Sequence, residues 1–258
     1  MTLPVDHELK SHQADWETLA TIDPFWAVLS LPEMRGNRWE PERFFLSGTH
    51  TIDHIAHVMA VNSNVILAGD RMLDFGCGLG RLTRPFSHRY RECVGVDISE
   101  EMLKKARELN ADFSNLQFVH NTRLDLTIFP DNHFDLIHTQ IVLQHLPDRP
   151  AIIKFIKEFS RTLRPGGLLI LELPDHIPWF RRLWLRRKAY VSLKFFGFSD
   201  QYLHEKLHLT NMKMNFLPQK EVEKTLLDAN IEIFDRVLVP TKYANSVTYL
   251  AKSIEPHS

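Results

Sequence analysis

The residues of this chain most able to do chemistry lie in the stretch MLDFGCGLGRL, residues 72–82. It places a carboxylate, Asp74, before three glycines on alternate positions, Gly76, Gly78 and Gly80. Glycine allows a sharp backbone turn and lets a ligand approach the amide groups closely. The stretch therefore predicts a loop that holds a ligand against its backbone.

A second carboxylate, Asp97, ends an apolar run about 20 residues beyond the glycine loop, a spacing at which it can accept hydrogen bonds from ribose hydroxyls. Asn121 follows the next apolar run, and HTQIVLQHLPD, residues 138–148, includes the end of the one after. Ligands bind at the carboxyl ends of parallel strands. Together these residues predict a ligand that carries a nucleoside.

Short apolar runs that alternate with helical patterns must position these residues. Helices are predicted over residues 99–109, with Ser99 as N-cap, and over 149–163, before the turn-forming RPGG. The alternation predicts an α/β fold, a doubly wound, mostly parallel sheet with helices on both faces. The predicted strands cover residues 72–75, 93–98, 116–119, 134–139 and 168–173, and, after a helix over 218–230, residues 231–240 and 246–252.

Two regions interrupt this alternation. Residues 1–63 contain helical patches separated by prolines and a glycine, and we interpret them as an N-terminal helical cap. Residues 64–258 form the main predicted domain. Within it, residues 175–216 interrupt the chain after the fifth strand, and we interpret them as a lid insertion.

Composition limits the function classes. The 258 residues are 44% hydrophobic with a formal net charge of −1, so no overall field favours nucleic acid or an anionic membrane. Cys77 and Cys93 lack metal-ligand spacing, which fits a cytoplasmic protein without a disulfide framework. His50, His54 and His57 lie at helical spacing but lack the glutamate of a zinc motif, so no metal site is predicted. No secretory leader or membrane-spanning stretch is expected.

Four ordered motifs between Asn64 and Ala251 resemble those of the class I, Rossmann-like S-adenosylmethionine-dependent methyltransferases, in particular the small-molecule group. MLDFGCGLGRL resembles their glycine motif, VGVDISEEML their acidic second motif, FPDNHFDLIHTQIVLQHLPD their fourth-strand signature and RTLRPGGLLILELP their fifth-strand motif. The resemblance implies a Rossmann-like sheet with an antiparallel C-terminal strand, a methyltransferase activity and S-adenosylmethionine as the cofactor.

The resemblance also implies roles for single residues. Asp74 would lie near the methionine end of the cofactor, where a carboxylate can attract the amino group. Gly76, Gly78 and Gly80 would bring the backbone close to that end. Asp97 would bind both ribose hydroxyls.

Three further residues are implied to line the cofactor pocket. Ile98 would pack against the adenine face, Met102 would pack near the same ring, and Gln140 would line the pocket beside them. Ile98 ends the second predicted strand, Met102 lies in the helix that follows it, and Gln140 lies in the loop after the fourth.

The chain departs from the family pattern after the third predicted strand. The family has an acidic residue there to accept a hydrogen bond from the adenine amino group, and this chain has Asn121, followed by Thr122. An asparagine carbonyl can accept the same bond. Asn121 and Thr122 are therefore the candidate adenine ligands, with Asp125 as the alternative.

The glycine spacing argues against a dinucleotide. A G-x-G-x-x-G fingerprint that begins at Gly76 needs its third glycine at position 81, where this chain has Arg81, because Gly80 comes one position early. A nicotinamide-dependent oxidoreductase is therefore the less favoured alternative. A protein that binds S-adenosylmethionine without catalysis is another.

His145, in the loop after the fourth predicted strand, is the candidate catalytic residue. Methyl transfer from a sulfonium ion depends mainly on positioning and on exclusion of water. A general base is needed only where the acceptor must lose a proton. The alternative for His145 is a structural residue that shapes the cofactor pocket.

The lid insertion bears on the acceptor. Residues 179–198, WFRRLWLRRKAYVSLKFFGF, mix basic with aromatic side chains. Three interpretations are open. The segment is a helical lid whose aromatic side chains pack on the core and whose arginines are solvated, or a lid over an apolar or anionic acceptor that also rests on a membrane surface. The third is a nucleic-acid contact with stacking aromatic side chains. The loop HTQIV lacks the N/D-P-P-Y/F motif of enzymes that methylate exocyclic base amines, so nucleic acid is the least expected partner. We expect methyl transfer to an O, N or C atom of a small, partly apolar acceptor, with RNA or a membrane lipid as alternatives.

Overall fold

The computed structural model describes residues 4–178, 183–240 and 245–254, with the backbone alone at residues 4–8 and 240. Within these residues a seven-stranded sheet is covered by helices. The strands are β1 (Gly69–Phe75), β2 (Tyr90–Asp97), β3 (Leu116–His120), β4 (Phe134–Thr139), β5 (Leu163–His176), β6 (Ile231–Pro240) and β7 (Asn245–Ser253). The helices are α1 (Pro4–Ile22), α2 (Pro24–Val28), α3 (Pro41–Ser63), α4 (Thr83–Phe86), α5 (Glu100–Leu109), α6 (Arg149–Thr162), α7 (Leu185–Phe195), α8 (Asp200–Glu205) and α9 (Gln219–Asp228).

The strand order in the sheet is β3-β2-β1-β4-β5-β7-β6. Strands β1 to β5 pair in parallel, and β7 runs antiparallel to both β5 and β6. This topology confirms the predicted mostly parallel Rossmann-like sheet with antiparallel C-terminal strands. The direction of winding reverses between β1 and β4, and ligands bind at such a point in open α/β sheets.

Both faces of the sheet are buried, which explains why its strands are continuous apolar runs. Successive residues of a strand point to opposite faces. Met72 therefore packs in the cluster that contains Ile52 of α3, whereas Leu73 packs in the cluster that contains Ile152 of α6. Helices on each face are thus fixed to the same strands.

Helix α5 begins as the sequence predicts. The hydroxyl of Ser99 accepts a hydrogen bond from the backbone N–H of Met102 at 3.1 Å, and Glu100 and Glu101 lie in the first turn. Acidic side chains are favoured at that end of a helix because the helix dipole is positive there. The cap sets α5 directly after Asp97, so the helix start and the second predicted carboxylate are held together.

Strand β5 begins earlier than predicted. Leu163 already pairs with Phe134, and the register then shifts before Leu168 pairs with Leu136. Residues 164–167, RPGG, therefore belong to an irregular part of the strand, and the predicted turn at this place is wrong. The irregularity accommodates Gly166, whose φ angle is +75°.

The N-terminal elements occupy two different places. Helix α3 lies against the sheet, where Ile52 and Met59 pack with strand residues such as Met72. Helices α1 and α2 instead form a cluster in which Trp26 packs with Leu79 of the glycine loop and with helix α5. Helices α1 and α2 therefore cover the carboxyl ends of the strands, together with the first turns of α3, whose Phe44 and Phe45 belong to the same cluster.

The chain between β5 and α9 forms α7 and α8 outside the sheet. Residues 179–182 of the predicted lid lie outside the described residues. The buried ring of His204, in α8, forms a 3.0 Å hydrogen bond from Nε2 to the carboxylate of Asp23, which lies between α1 and α2. The insertion is thus joined to the N-terminal helices. No helix in the described part of the chain is long and apolar enough to cross a lipid bilayer.

Candidate functional site

The main cavity lies at the carboxyl ends of β1, β2 and β4, beside the point where the winding reverses. Helix α1 closes one side of it with Leu9, His12 and Trp16. The predicted residues that line this cavity are Asp74, Gly76, Gly78, Asp97, Ile98, Met102, Asn121, Gln140 and His145. The structure therefore brings these residues together at one place.

Gly80, Thr122 and Asp125 do not line the main cavity. A Cβ atom at Gly80 would lie 2.9 Å from the ring of Phe118, so this glycine makes room for β3. Thr122 is exposed, and the carboxylate of Asp125 accepts a hydrogen bond from Thr127 at 2.8 Å. Contact of Gly80, Thr122 or Asp125 with the cofactor stays a prediction, and the lining of this cavity does not support it.

Protein side chains stand against the two glycines that do line the cavity. The φ angles of Gly76 and Gly78 are +76° and +52°, a region that disfavours other residues. A Cβ atom at Gly76 would lie 2.4 Å from Val142, and one at Gly78 would lie 2.5 Å from Val28 of α2. The glycine loop is therefore shaped to receive α2 as well as a ligand.

Asp97 connects β2 to the glycine loop. One carboxylate oxygen accepts a hydrogen bond from the backbone N–H of Gly78 at 2.9 Å, and the other accepts one from Ser99 at 3.0 Å. Burial raises the pKa of Asp97 above its usual value, while these hydrogen bonds act in the opposite direction. The carboxylate is held rigidly at the strand end, in the wall of the cavity.

Asp74 has both carboxylate oxygens engaged by protein groups. The hydroxyl of Thr83 donates to one at 2.6 Å, and Nδ1 of His138 contacts the other at 2.9 Å. The carboxylate lies in β1 and is almost fully buried. It therefore contributes negative charge at this end of the cavity and organises its neighbours.

Two residues that line the cavity at this end, Arg81 and Gln140, each carry a buried polar atom that lacks a partner among the described residues. Arg81 is 5% exposed, and its Nε atom has no hydrogen-bond partner among the described residues. Gln140 donates from Nε2 to Glu172 at 2.7 Å, which leaves its Oε1 atom without a partner there. Buried groups of this kind are costly unless a ligand satisfies them.

These two side chains match the ends of an amino acid. Arg81 offers a donor to a carboxylate, and Gln140 offers an acceptor to an ammonium group, as the methionine end of S-adenosylmethionine requires. Burial lowers the pKa of Arg81 to about 10, so the guanidinium stays charged at neutral pH. In the sequence, Arg81 was noted only as the residue at the position of the third dinucleotide glycine. Nothing there indicated that its guanidinium is buried.

Asn121 lines the cavity with its amide already used in its own loop. Its Nδ2 donates to the carbonyl oxygen of Asp125 at 2.7 Å, and its Oδ1 accepts from the N–H of Arg123 at 3.0 Å. The second lone pair of Oδ1 is the acceptor that the adenine amino group would require. Leu124 lines the cavity beside it.

The contacts of His145 fix which ring nitrogen carries a proton. Nδ1 lies 2.9 Å from the carbonyl oxygen of Lys213, which can only accept, so Nδ1 donates and Nε2 keeps its lone pair. Burial lowers the pKa of His145 below its usual value. The neutral ring is therefore an acceptor at the wall of the cavity.

His12 has the opposite arrangement. The indole N–H of Trp16 donates to Nε2 of His12 at 3.3 Å, so the neutral ring carries its proton on Nδ1. Burial, with the charges of His145 and Lys213, lowers the pKa of His12 to about 4. The sequence analysis missed His12 and Trp16, although their spacing of four residues on one helix face was available as a signal.

Helix α1 is held over the site by a carboxylate. Glu17 accepts hydrogen bonds from the hydroxyl of Ser99 at 2.8 Å and from the N–H groups of Glu100 and Glu101 at 2.9 and 3.1 Å. Burial would raise the pKa of Glu17, but these hydrogen bonds lower it below its usual value. Glu17 therefore caps α5 from another helix and fixes α1 next to Asp97.

A second cavity, with a volume of about 190 Å³, shares part of its wall with the main one. The shared residues are His12, Trp16 and His145. Its other lining is partly apolar and partly charged: Ser11, Asp15, Leu19, Pro147, Arg187, Met212 and Lys213. The two histidines thus lie between two neighbouring cavities.

Comparison with known proteins agrees with this geometry. Residues 73–171 match a family model described as a methyltransferase domain. The chain is 29% identical over 166 residues to a demethylmenaquinone methyltransferase of Staphylococcus aureus strain JH9, which covers 62% of this chain and 67% of the relative.

Two solved structures have the same fold. A Methanosarcina mazei S-adenosylmethionine-dependent methyltransferase is 24% identical with a TM-score of 0.57, over 75% of this chain and 97% of its own. Magnesium protoporphyrin IX methyltransferase of Synechocystis, solved with bound S-adenosylhomocysteine, is 19% identical with a TM-score of 0.54, over 82% and 86%. The described chain therefore has the fold of class I, Rossmann-like methyltransferases, and its residues 73–171 match a methyltransferase domain.

Proposed function

We propose that this protein transfers a methyl group from S-adenosylmethionine in the main cavity to a small, partly apolar acceptor in the second cavity. The observation that carries the proposal is the wall of His12, Trp16 and His145 common to both cavities. A reacting acceptor must meet the methyl group at such a boundary, because the transfer is an in-line displacement.

The residues of the main cavity hold the cofactor in a defined direction. Arg81 and Gln140 bind its amino acid end, and Asp97 binds the ribose hydroxyls. Ile98 and Met102 pack against the adenine. When bound, the sulfonium supplies the methyl carbon and accepts the electron pair of the broken C–S bond.

The second cavity selects and activates the acceptor. Trp16, Leu19 and Met212 supply apolar surface. Nε2 of His145 takes the proton that an acceptor hydroxyl, amine or acidic carbon loses, and the electron pair of that oxygen, nitrogen or carbon forms the bond to the methyl carbon. His12 donates a hydrogen bond from Nδ1 to the same molecule. The name of the curated relative, a demethylmenaquinone methyltransferase, adds one candidate acceptor to test.

The cofactor half of the proposal is tested by calorimetric titration with S-adenosylhomocysteine. Asp97→Ala is expected to weaken binding about 10- to 100-fold, because two charge-assisted hydrogen bonds are lost. Asp97→Asn, which keeps one acceptor oxygen and the shape of the side chain, is expected to lose less. The matched control is Asp228→Asn, which removes an exposed carboxylate on α9, outside the cavity, and leaves affinity unchanged.

Titration with NAD distinguishes the proposed methyltransferase from a nicotinamide-dependent oxidoreductase. We expect no measurable NAD binding to the wild-type protein, because Arg81 occupies the position of the third dinucleotide glycine. Tighter binding of NAD than of S-adenosylhomocysteine would contradict the assignment. A protein that binds S-adenosylhomocysteine but methylates no member of a broad acceptor panel would support the alternative of a non-catalytic binding protein.

The role of Arg81 has its own test. Arg81→Met is expected to weaken S-adenosylhomocysteine binding about 10-fold or more, because a charged hydrogen-bond donor is removed. The same variant should bind 5′-methylthioadenosine like the wild type, since this ligand lacks the amino acid end. Asp97→Asn provides the reciprocal control, because it should weaken both ligands. Equal losses for both ligands in Arg81→Met would show that Arg81 supports the loop instead of binding the carboxylate.

A further inference from the structure

Helix α7 presents an apolar face that nothing in the described chain covers. None of its residues is buried. Phe195 and, at the C-cap, Phe196 are 85% and 75% exposed. Leu185 and Val191 are exposed as well. Scattered exposed apolar residues are ordinary, but a group of this size on one element marks a contact surface.

The exposed residues share one side of the helix. Successive residues of an α-helix are about 100° apart, so Leu185, Lys188, Val191 and Phe195 lie on one side, and Arg187 and Tyr190 lie on the other. Phe196 continues the first side at the C-cap. We call these five outward residues, Leu185, Lys188, Val191, Phe195 and Phe196, the α7 face.

The opposite side of α7 is attached to the protein. Arg187 donates from Nε to the carbonyl oxygen of Asn211 at 3.2 Å and lines the second cavity. Tyr190 donates from its hydroxyl to Asp200 of α8, and Lys194 forms an ion pair with the same carboxylate. These contacts fix the helix with its apolar face toward solvent.

The charge of the helix indicates what covers this face. Its sequence, LRRKAYVSLKF, contains four basic residues and no acidic one, although the whole chain has a net charge of −1. Lys194 is paired with Asp200. Lys188 lies on the α7 face, and Arg186 and Arg187 donate to the backbone carbonyl oxygens of His208 and Asn211, which leave their positive charge in place. A basic helix with an exposed apolar face lies in the interface plane of an anionic membrane, where apolar side chains enter the headgroup region and lysine and arginine contact lipid phosphates.

A second copy of the chain fits this face poorly. A two-fold interface would bring the same basic helix against itself, and like charges that meet across an interface are costly. An anionic surface offers the complementary charge and a matching apolar layer. We propose that the α7 face docks on the surface of an anionic membrane.

Docking would place the second cavity beside the lipid, because Arg187 extends from the same helix into its wall. An apolar acceptor could then pass from the membrane to the site without crossing water. The docking itself does not require the proposed methyl transfer, so the two proposals can fail separately.

Vesicle flotation tests the docking. The wild-type protein is expected to bind mixed phosphatidylcholine and phosphatidylserine vesicles at least about 10-fold more tightly than phosphatidylcholine alone, with binding that falls as salt is added. Phe195→Ser with Phe196→Ser, and separately Lys188→Glu, should each reduce the binding about 10-fold or more.

The matched control carries Leu227→Ser and Leu238→Ser, which remove exposed apolar side chains on α9 and β6, away from α7. It should bind vesicles like the wild type. Unchanged S-adenosylhomocysteine affinity in all variants shows that they fold. The proposal is overturned if the wild type does not bind anionic vesicles, if the control loses binding equally, or if the Phe195 and Phe196 variant instead abolishes a dimer or RNA binding.

Discussion

His145→Asn is expected to slow methyl transfer about 100- to 1000-fold, within the range that a positioned general base contributes. Asparagine can still donate to the carbonyl oxygen of Lys213 in place of Nδ1, but it has no counterpart of the Nε2 lone pair. The substitution therefore removes the base and preserves the local packing. Affinity for S-adenosylhomocysteine should be unchanged.

The pH dependence distinguishes a base from a structural residue. Burial lowers the pKa of His145 below its usual value near 6.5, so the folded protein resists protonation of the ring and keeps Nε2 available at neutral pH. The rate for the wild type should therefore stay flat from pH 8 to about 6.5 and fall only below that value. The acid limb should disappear in His145→Asn.

Initial rates at saturating acceptor, measured with methyl-labelled S-adenosylmethionine, provide both readouts. His12→Phe is the companion variant, because it removes the Nδ1 donor from the same wall and leaves the lone pair of His145 in place. We expect a raised KM for the acceptor in that variant. A wild-type rate in His145→Asn would refute the assigned base and leave His145 as a residue that shapes the pocket.

The sheet could be predicted from the sequence because its signals are local. A strand buried on both faces is a continuous apolar run, as in FDLIHT of β4. A helix begins where a side chain such as that of Ser99 accepts a hydrogen bond from the backbone N–H three residues later. The start of β5 was missed because Gly166 and its neighbours form a strand only through pairing with β4. Turn chemistry alone favours a turn there.

Most of the residues predicted to bind the cofactor line one cavity in the structure, and their contact with the cofactor stays a prediction. Asp97 and the glycines lie at fixed distances along the chain, and one ligand constrains them. For Gly80, a glycine in a motif does not say whether ligand or protein lies next to it, and in the structure the ring of Phe118 lies there. Asn121 was placed correctly at the cavity, but its loop bonds depend on Asp125.

The acceptor half could not be predicted because it is built from distant segments. Glu17 caps a helix more than 80 residues away along the chain, and no pattern near Glu17 indicates that contact. Lys213 fixes the tautomer of His145 through a backbone carbonyl, a group that every residue has. Side-chain type and spacing carry no information about such contacts.

Gly48, in a helix, also makes a contact with a distant segment that the sequence does not indicate. It lies inside α3, where glycine is normally unfavourable by about 1 kcal/mol relative to alanine. In the structure a Cβ atom at this position would lie 2.0 Å from the backbone carbonyl oxygen of Arg81. Backbone cannot rotate aside as a flexible side chain can, so helix α3 and the end of the glycine loop must separate to admit one methyl group.

Gly48→Ala is therefore expected to destabilise the protein by about 3 kcal/mol, as overpacking of a close contact does, whereas helix propensity alone expects a gain of about 1 kcal/mol. Because the two effects change the free energy of unfolding in opposite directions, urea unfolding of Gly48→Ala distinguishes them. His54→Ala, at an exposed position of the same helix, is the control and should leave stability unchanged or slightly raised. Because Arg81 must move in Gly48→Ala, affinity for S-adenosylhomocysteine should fall more than affinity for 5′-methylthioadenosine. A stabilised Gly48→Ala protein would show that the helix and the loop are not locked together, and the fixed position of Arg81 would lose its support.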